Sequence, residues 1–101
     1  MVTFIRKADV NGIDKQQKAV EWAKSVGHYV DGKFGFSNVE CGVEVYGSAG
    51  RFYWIGRQQS LDSLGKGAER ALVDQGYQQM LEKGIGLFVP GSVQDTVIVG
   101  I

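Results

Sequence analysis

Apolar and polar positions alternate most regularly between residues 38 and 58. There Val39-Glu40-Cys41-Gly42-Val43-Glu44-Val45-Tyr46 and Arg51-Phe52-Tyr53-Trp54-Ile55-Gly56-Arg57 flank the tetrapeptide Gly47-Ser48-Ala49-Gly50. β-Branched and aromatic residues at period two on both sides of a glycine-bounded turn predict a hairpin, with strands over 38–47 and 50–58. With Tyr46 facing Arg51, the register sets Val45 opposite Phe52, Val43 opposite Trp54 and Cys41 opposite Gly56 on a buried face. The other face then pairs Tyr46 with Arg51, Glu44 with Tyr53, Gly42 with Ile55, and Glu40 with Arg57, the last an opposite-charge cross-strand pair.

Outside the hairpin the period changes twice. Residues 2–8 are rich in β-formers and stop before the turn cluster Asp9-Val10-Asn11-Gly12, which predicts a first strand. Over 13–30, Ala19, Trp22, Ala23, Val26, Tyr29 and Val30 recur at three- and four-residue spacing, while Lys15, Lys18, Glu21 and Lys24 fall elsewhere, which is the pattern of an amphipathic helix. A second helical region spans 60–83, with Ser60 as N-cap and Leu61, Leu64, Ala68, Ala71 and Leu72 on one face. Asp74 caps a restart that turns Tyr77, Met80 and Leu81 inward, and Gly84 ends it. Pro90-Gly91 introduces a last strand over 92–100.

The order βαββαβ predicts a ferredoxin-like α+β sandwich, a four-stranded antiparallel sheet with both helices on one face, as a single domain over 1–101. That topology leaves the second sheet face open. The hairpin contains no lysine, and its second face offers Glu40, Glu44, Tyr46, Tyr53, Ile55 and Arg57. Tyrosine and arginine in place of lysine is the composition of a covered interface, so these six are the candidate dimer contacts.

Composition narrows the partners. The 101 residues carry 11 basic and 11 acidic side chains, so no charge excess points to nucleic acid or to an anionic membrane. No stretch approaches the roughly 20 apolar residues of a membrane span, and charges at Arg6 and Lys7 interrupt what would be a signal peptide's apolar run. Cys41 is the single cysteine, which excludes an intrachain disulfide and cysteine-pair metal spacings and suits a reducing, cytoplasmic setting.

Candidate chemistry is sparse. His28, the only histidine, sits near the end of the first helix, where an imidazolium also complements the macrodipole; a structural role outweighs that of pocket donor or base. Trp22 and Trp54 fall on inward faces of the helix and of the sheet beneath it, so they either pack the core or line an apolar pocket together with Phe4 or Phe52. Cys41 has no evident base. Gly65-Lys66-Gly67 and Gly84-Ile85-Gly86 lack the strand and helix context of a phosphate loop, and no serine stands in a nucleophile-elbow frame.

The arrangement of elements, with Gly50-Arg51-Phe52-Tyr53-Trp54, Ser60-Leu61-Asp62-Ser63-Leu64 and Tyr77-Gln78-Gln79-Met80-Leu81 in their places, resembles the dimeric α/β barrel superfamily. It is similar in particular to the small NIPSNAP-like and antibiotic-biosynthesis-monooxygenase-like proteins. The resemblance implies a homodimer whose sheets pack face to face into a barrel, with a pocket between sheet and helices in each subunit. Haem-degrading members use a histidine on the second helix and an asparagine on the first strand; neither stands here, although Trp54 matches the region of their buried tryptophan. No cofactor or metal is therefore expected. The reading is a homodimer that binds a small apolar or aromatic molecule, as a cofactor-independent oxygenase or isomerase, against the alternative of a non-catalytic binding or structural module with a self-filled core.

Overall fold

A computed structural model describes residues 1–101. Strand β1 (Val2–Asp9) leads through a short 3₁₀ turn (Ile13–Lys15) into helix α1 (Gln16–Val30). Strands β2 (Ser37–Val43) and β3 (Arg51–Gln58) follow, then helices α2 (Leu61–Val73) and α3 (Gln75–Lys83), and strand β4 (Gln94–Val99). The strands form one antiparallel sheet in the order β2-β3-β1-β4, the ferredoxin-like arrangement, with the helices flanking it.

Barrel closure, which the resemblance led us to expect, is not present. The sheet is open and ends in β2 on one side and β4 on the other, each hydrogen-bonded to a single neighbour. Four strands are too few to curl round and meet, because a closed barrel whose interior side chains just fill it needs about eight.

Packing is concentrated along β3, where burial alternates: Phe52, Trp54, Gly56 and Gln58 are buried under the helices and the residues between them are not. One end of this row is aromatic. Trp54 meets Trp22 of α1 edge to face at 6.0 Å between centroids, and Phe88 packs against both indoles and against Phe52. Small residues beside and across from the rings, Ala8 on β1 and Ala19 and Ala23 on α1, let the rings and the helix approach closely.

At the other end the fully buried Gln58 works as a polar clamp. Its Nε2 donates to the Phe34 carbonyl at 2.7 Å and its Oε1 accepts from Ser63 Oγ at 2.6 Å, joining the loop after α1 to the start of α2. Phe34 holds a left-handed φ of 54°, a conformation that costs a non-glycine residue roughly 1–2 kcal/mol. Its buried ring and this hydrogen bond offset the strain. Gly67 makes the approach possible: a Cβ there would lie 2.1 Å from the Phe34 oxygen.

The helix caps are as the sequence indicates. Ser60 accepts from the Ser63 amide, and Asp74 ends α2 and caps α3 by accepting from the Tyr77 amide at 2.8 Å. The hairpin differs in register. Its partners are Val43 with Phe52, Cys41 with Trp54, Gly42 with Tyr53 and Glu40 with Ile55, two residues out of the expected alignment. The loop between the strands runs over 44–50, and within it the Glu44 carboxylate turns back to accept from the Ser48 amide.

A shift of two keeps every side chain on its expected face, but Val45 leaves the sheet and is 76% exposed rather than lying under the helices. The two-residue shift places Glu40 opposite Ile55, so the expected Glu40–Arg57 pair does not form, and a further irregularity near Asn38, whose φ is 53°, sets Ser37 opposite Arg57. Cys41, expected to be buried, is exposed on the edge strand β2, although α1 approaches it at Gly27.

Helix α3 is bound to α1 by Trp22 Nε1, which donates to the Met80 carbonyl at 2.8 Å, and by the Tyr29 hydroxyl, which donates to Asp74 Oδ1 at 2.7 Å. The Tyr29 hydrogen bond, followed by the Tyr77 amide, holds the Asp74 carboxyl below the usual range. A depressed folded-state pKa contributes stability that is complete above the unfolded value of about 3.9 and is lost as pH falls through the folded value. Tyr29→Phe should therefore lower the thermal midpoint at neutral pH, and its deficit should shrink as the pH falls below about 4. Melting curves of both proteins across that range check this; a deficit independent of pH would show that the Asp74 charge does not carry the link.

Candidate ligand-binding site

The helix-facing side of the sheet can be read from register partners. Opposite Phe52, Trp54, Gly56 and Gln58 of β3 stand Ala8, Arg6, Phe4 and Val2 of β1, and beyond them on β4 stand Asp95 beside Arg6, Val97 beside Phe4 and Val99 beside Val2. A packed interior would continue with large apolar groups after Trp54. Here the next position is Gly56, which has no side chain, and its neighbourhood on β1 includes the charged Arg6.

Phe36, from the loop before β2, leans over Gly56, where a Cβ would come within 2.7 Å of its ring, and its ring lies 5.6 Å from that of Phe4. The result is a cavity of about 160 Å³ whose walls include Phe4, Trp22, Phe36, Trp54, Tyr77 and Phe88. It adjoins a second hollow of about 460 Å³ that runs toward α2, past Ala68 and Ala71, and shares Phe4, Arg6, Val30, Phe36, Tyr77 and Leu81 with the first. Together they fall within the size range of small-molecule sites, about 300–1,000 Å³.

This space exists because α2 and α3 are held at a few points rather than along their length. The Gln58 clamp fixes the start of α2 and Asp74 fixes the junction with α3, while Leu61 and Leu72, expected on the inward face of α2, are exposed. Nothing on the helices fills the region above β1 and β4.

The electrostatics of the lining are simple. Both indole N–H groups are occupied, Trp22 by the Met80 carbonyl and Trp54 by the Ala23 carbonyl at 3.1 Å, so the tryptophans turn apolar surfaces to the cavity. Arg6 and Asp95 are the only charged side chains in the lining of either hollow. They form a two-point pair, Nε to Oδ1 at 2.7 Å and Nη2 to Oδ2 at 2.9 Å. The guanidinium carbon lies 5.5 Å from the centre of the Phe4 ring. The Asp95 hydrogen bond raises the guanidinium pKa against the opposing effect of burial, and Tyr77 acts in the same direction as Asp95.

Of the residues singled out in the sequence as pocket candidates, Phe4, Trp22 and Trp54 come together in the lining. Phe52 is fully buried and lies outside it. His28 is exposed on α1 and touches neither hollow. Cys41 is also outside, and the desolvation it experiences pushes its thiol pKa up, away from an activated thiolate.

The interface candidates Glu40, Tyr53, Ile55 and Arg57 are in phase on the open sheet face. Glu44 joins them at the strand end, accepting from the Tyr53 hydroxyl at 2.5 Å, and Tyr46 stands exposed in the loop.

Arg6, Asp95, Phe36 and Phe88 are site residues that a reading of single windows misses. The available signal is phase. Arg6 falls in step with the apolar Phe4 and Ala8, and Asp95 in step with Val93, Val97 and Val99, so each strand carries one charge, of opposite sign, on its apolar side.

No protein-family model matches the chain, and no curated protein matches its sequence. Solved structures do match in shape. An uncharacterised NIPSNAP domain protein from Burkholderia xenovorans superposes with a TM-score of 0.81 at 10% identity, covering 100% of this chain and 95% of its own. A candidate antibiotic biosynthesis monooxygenase from Deinococcus radiodurans gives 0.75 at 11% identity, with 99% and 92% covered. SnoaB, a cofactor-independent oxygenase from Streptomyces nogalater, gives 0.70 at 15% identity, with 98% and 91% covered. At such identities the likeness establishes a shared fold.

Trp54 belongs both to the aromatic cluster and to the cavity wall, so Trp54→Ala should cost about 3–5 kcal/mol. Denaturant titration reads this directly, and an unchanged midpoint would mean that the cluster does not hold α1 to the sheet.

Proposed function

We propose that this protein binds a small, flat, apolar molecule, aromatic by preference, in the hollow between its sheet and its helices. The observation that carries the reading is the aromatic lining with both indole N–H groups turned away to carbonyls, which leaves ring faces and edges to meet a ligand. The fold it shares with SnoaB supports a cofactor-independent oxygenation as the associated chemistry, with an isomerisation, which the sequence resemblance implies, as the other option. A second reading, binding without turnover, is favoured by the scarcity of proton-transfer groups. The lining contains no histidine, cysteine, glutamate or lysine, and its one carboxylate is held by Arg6. Oxygen uptake in the presence of a bound aromatic separates the two.

Phenylnaphthylamine, whose emission rises in apolar surroundings, serves as the first probe. It should bind with a saturable signal, and Val30→Phe, which adds bulk where the two hollows meet, should weaken binding about tenfold or more, equivalent to about 1.4 kcal/mol. Binding unaffected by that substitution would move the ligand elsewhere.

The same reading includes self-association through the open sheet face. Ile5 and Ile55 are cross-strand partners there, Asp9 already pairs with Arg51 at 2.9 Å, and Glu44 is satisfied by Tyr53 and Ser48. A second copy could cover this face without leaving those carboxylates unpaired, which is what makes burial of charge costly. Light scattering at micromolar concentration should give the mass of a dimer, and Ile55→Lys should give a monomer; a monomeric unaltered protein would end this part of the reading.

A further inference from the structure

Resting on the proposed ligand site, the geometry points to a specificity device: the Arg6–Asp95 pair makes the cavity accept a neutral ligand that carries an oxygen acceptor and refuse the carboxylate of the same shape. A lone arginine in an apolar cavity would do the reverse, since a carboxylate is its best partner. Here Asp95 already occupies that role, taking Nε and one hydrogen of Nη2 in the two-point geometry that a ligand carboxylate would otherwise use.

The guanidinium has five N–H donors, so three remain after Asp95 is bound. They are strong donors with no net charge to offer, because no other charged side chain lines either hollow. An entering anion would meet the Asp95 carboxylate close by and would shed part of its hydration without gaining a counter-charge. A carbonyl or hydroxyl oxygen can accept from the free N–H groups and loses far less on leaving water.

The position of the pair supports the assignment. Arg6 and Asp95 are register partners on adjacent strands, on the side of the sheet that otherwise carries Phe4, Ala8, Val97 and Val99. The Phe4 ring supports the guanidinium from below, and Tyr77 faces it from α3. A salt bridge serving only stability would be as effective on the open face, where Arg51 and Asp9 form one outside the lining of either hollow. Arg6 instead lies where the two hollows meet, within reach of anything bound in either.

Three probes of one ring system separate the possibilities: acetylnaphthalene as the neutral acceptor, naphthoate substituted at the same ring position as the anion, and ethylnaphthalene as the body without an acceptor. Trp22 and Trp54 are the only tryptophans and both line the cavity, so their quenching reports binding without a label. In the unaltered protein at neutral pH, acetylnaphthalene should bind about tenfold or more tightly than naphthoate, and more tightly than ethylnaphthalene. Asp95→Asn, which keeps the shape and releases the guanidinium charge, should reverse the first preference by strengthening naphthoate at least about tenfold. Arg6→Gln should bring acetylnaphthalene down to the affinity of ethylnaphthalene.

The comparison in the unaltered protein stands whether or not either variant folds. Naphthoate binding there as tightly as acetylnaphthalene overturns the specificity while leaving the ligand site intact. Naphthoate affinity unmoved in a folded Asp95→Asn protein overturns it too. Quenching by none of the three removes the proposed site and this inference together.

Discussion

The whole structure depends on what β3 buries. Along its helix-facing side Phe52 and Trp54 draw α1 and the segment around Phe88 onto the sheet through a set of ring contacts, and Gln58 fastens the loop after α1 to the start of α2. These two attachments differ in kind. Burial of large aromatic rings is non-directional and contributes several kcal/mol, about 25 cal/mol for each Å² removed from water. The buried glutamine is directional; its value lies in fixing which backbone groups meet, since leaving its amide unpaired would cost about 1–3 kcal/mol.

Between the two attachments stands Gly56, and the hollow follows from it. A leucine or valine there would have continued the row of rings and brought the sheet surface up to the helices. With no side chain at that point, Phe36 can lie across the strand, and the space beyond it stays open between β1, β4 and the paired helices. Helices anchored at only a few points can bridge such a gap, because their own backbone hydrogen bonds need no support from the sheet. The same feature that thins the core, the sparse contact of α2 with the sheet, is what makes room for a ligand.

The two faces of the sheet carry their charges differently. On the open side Arg51 with Asp9, and Glu44 with Tyr53, lie partly exposed to water, where such pairs contribute little to stability and mainly leave the surface satisfied. On the helix-facing side Arg6 and Asp95 are about as accessible to water, but they meet over the Phe4 ring in the lining of the hollow, where a paired charge changes what else can bind.

Much of the architecture was present in the one-dimensional pattern. The change of period from two to three-and-a-half and back placed all four strands and the helical regions. Ser60 and Asp74 announced their caps, because a cap is a contact over three residues and needs nothing beyond them. The faces of the hairpin were legible even though its register was not: a shift of two residues preserves facing, and the longer loop, in which Glu44 folds onto Ser48, is a choice that alternation cannot encode. Sequence phase also put Trp22 and Trp54 inward. Only the tertiary structure joined Arg6 to Asp95 across 89 positions, brought Phe88 into the rings and turned His28 outward. It alone showed an open sheet where resemblance implied a closed barrel, and an unfilled hollow where composition allowed a filled core. Periodicity states which side of an element is apolar; which elements then meet, and how completely they fill the space between them, is decided by contacts between residues far apart in the chain.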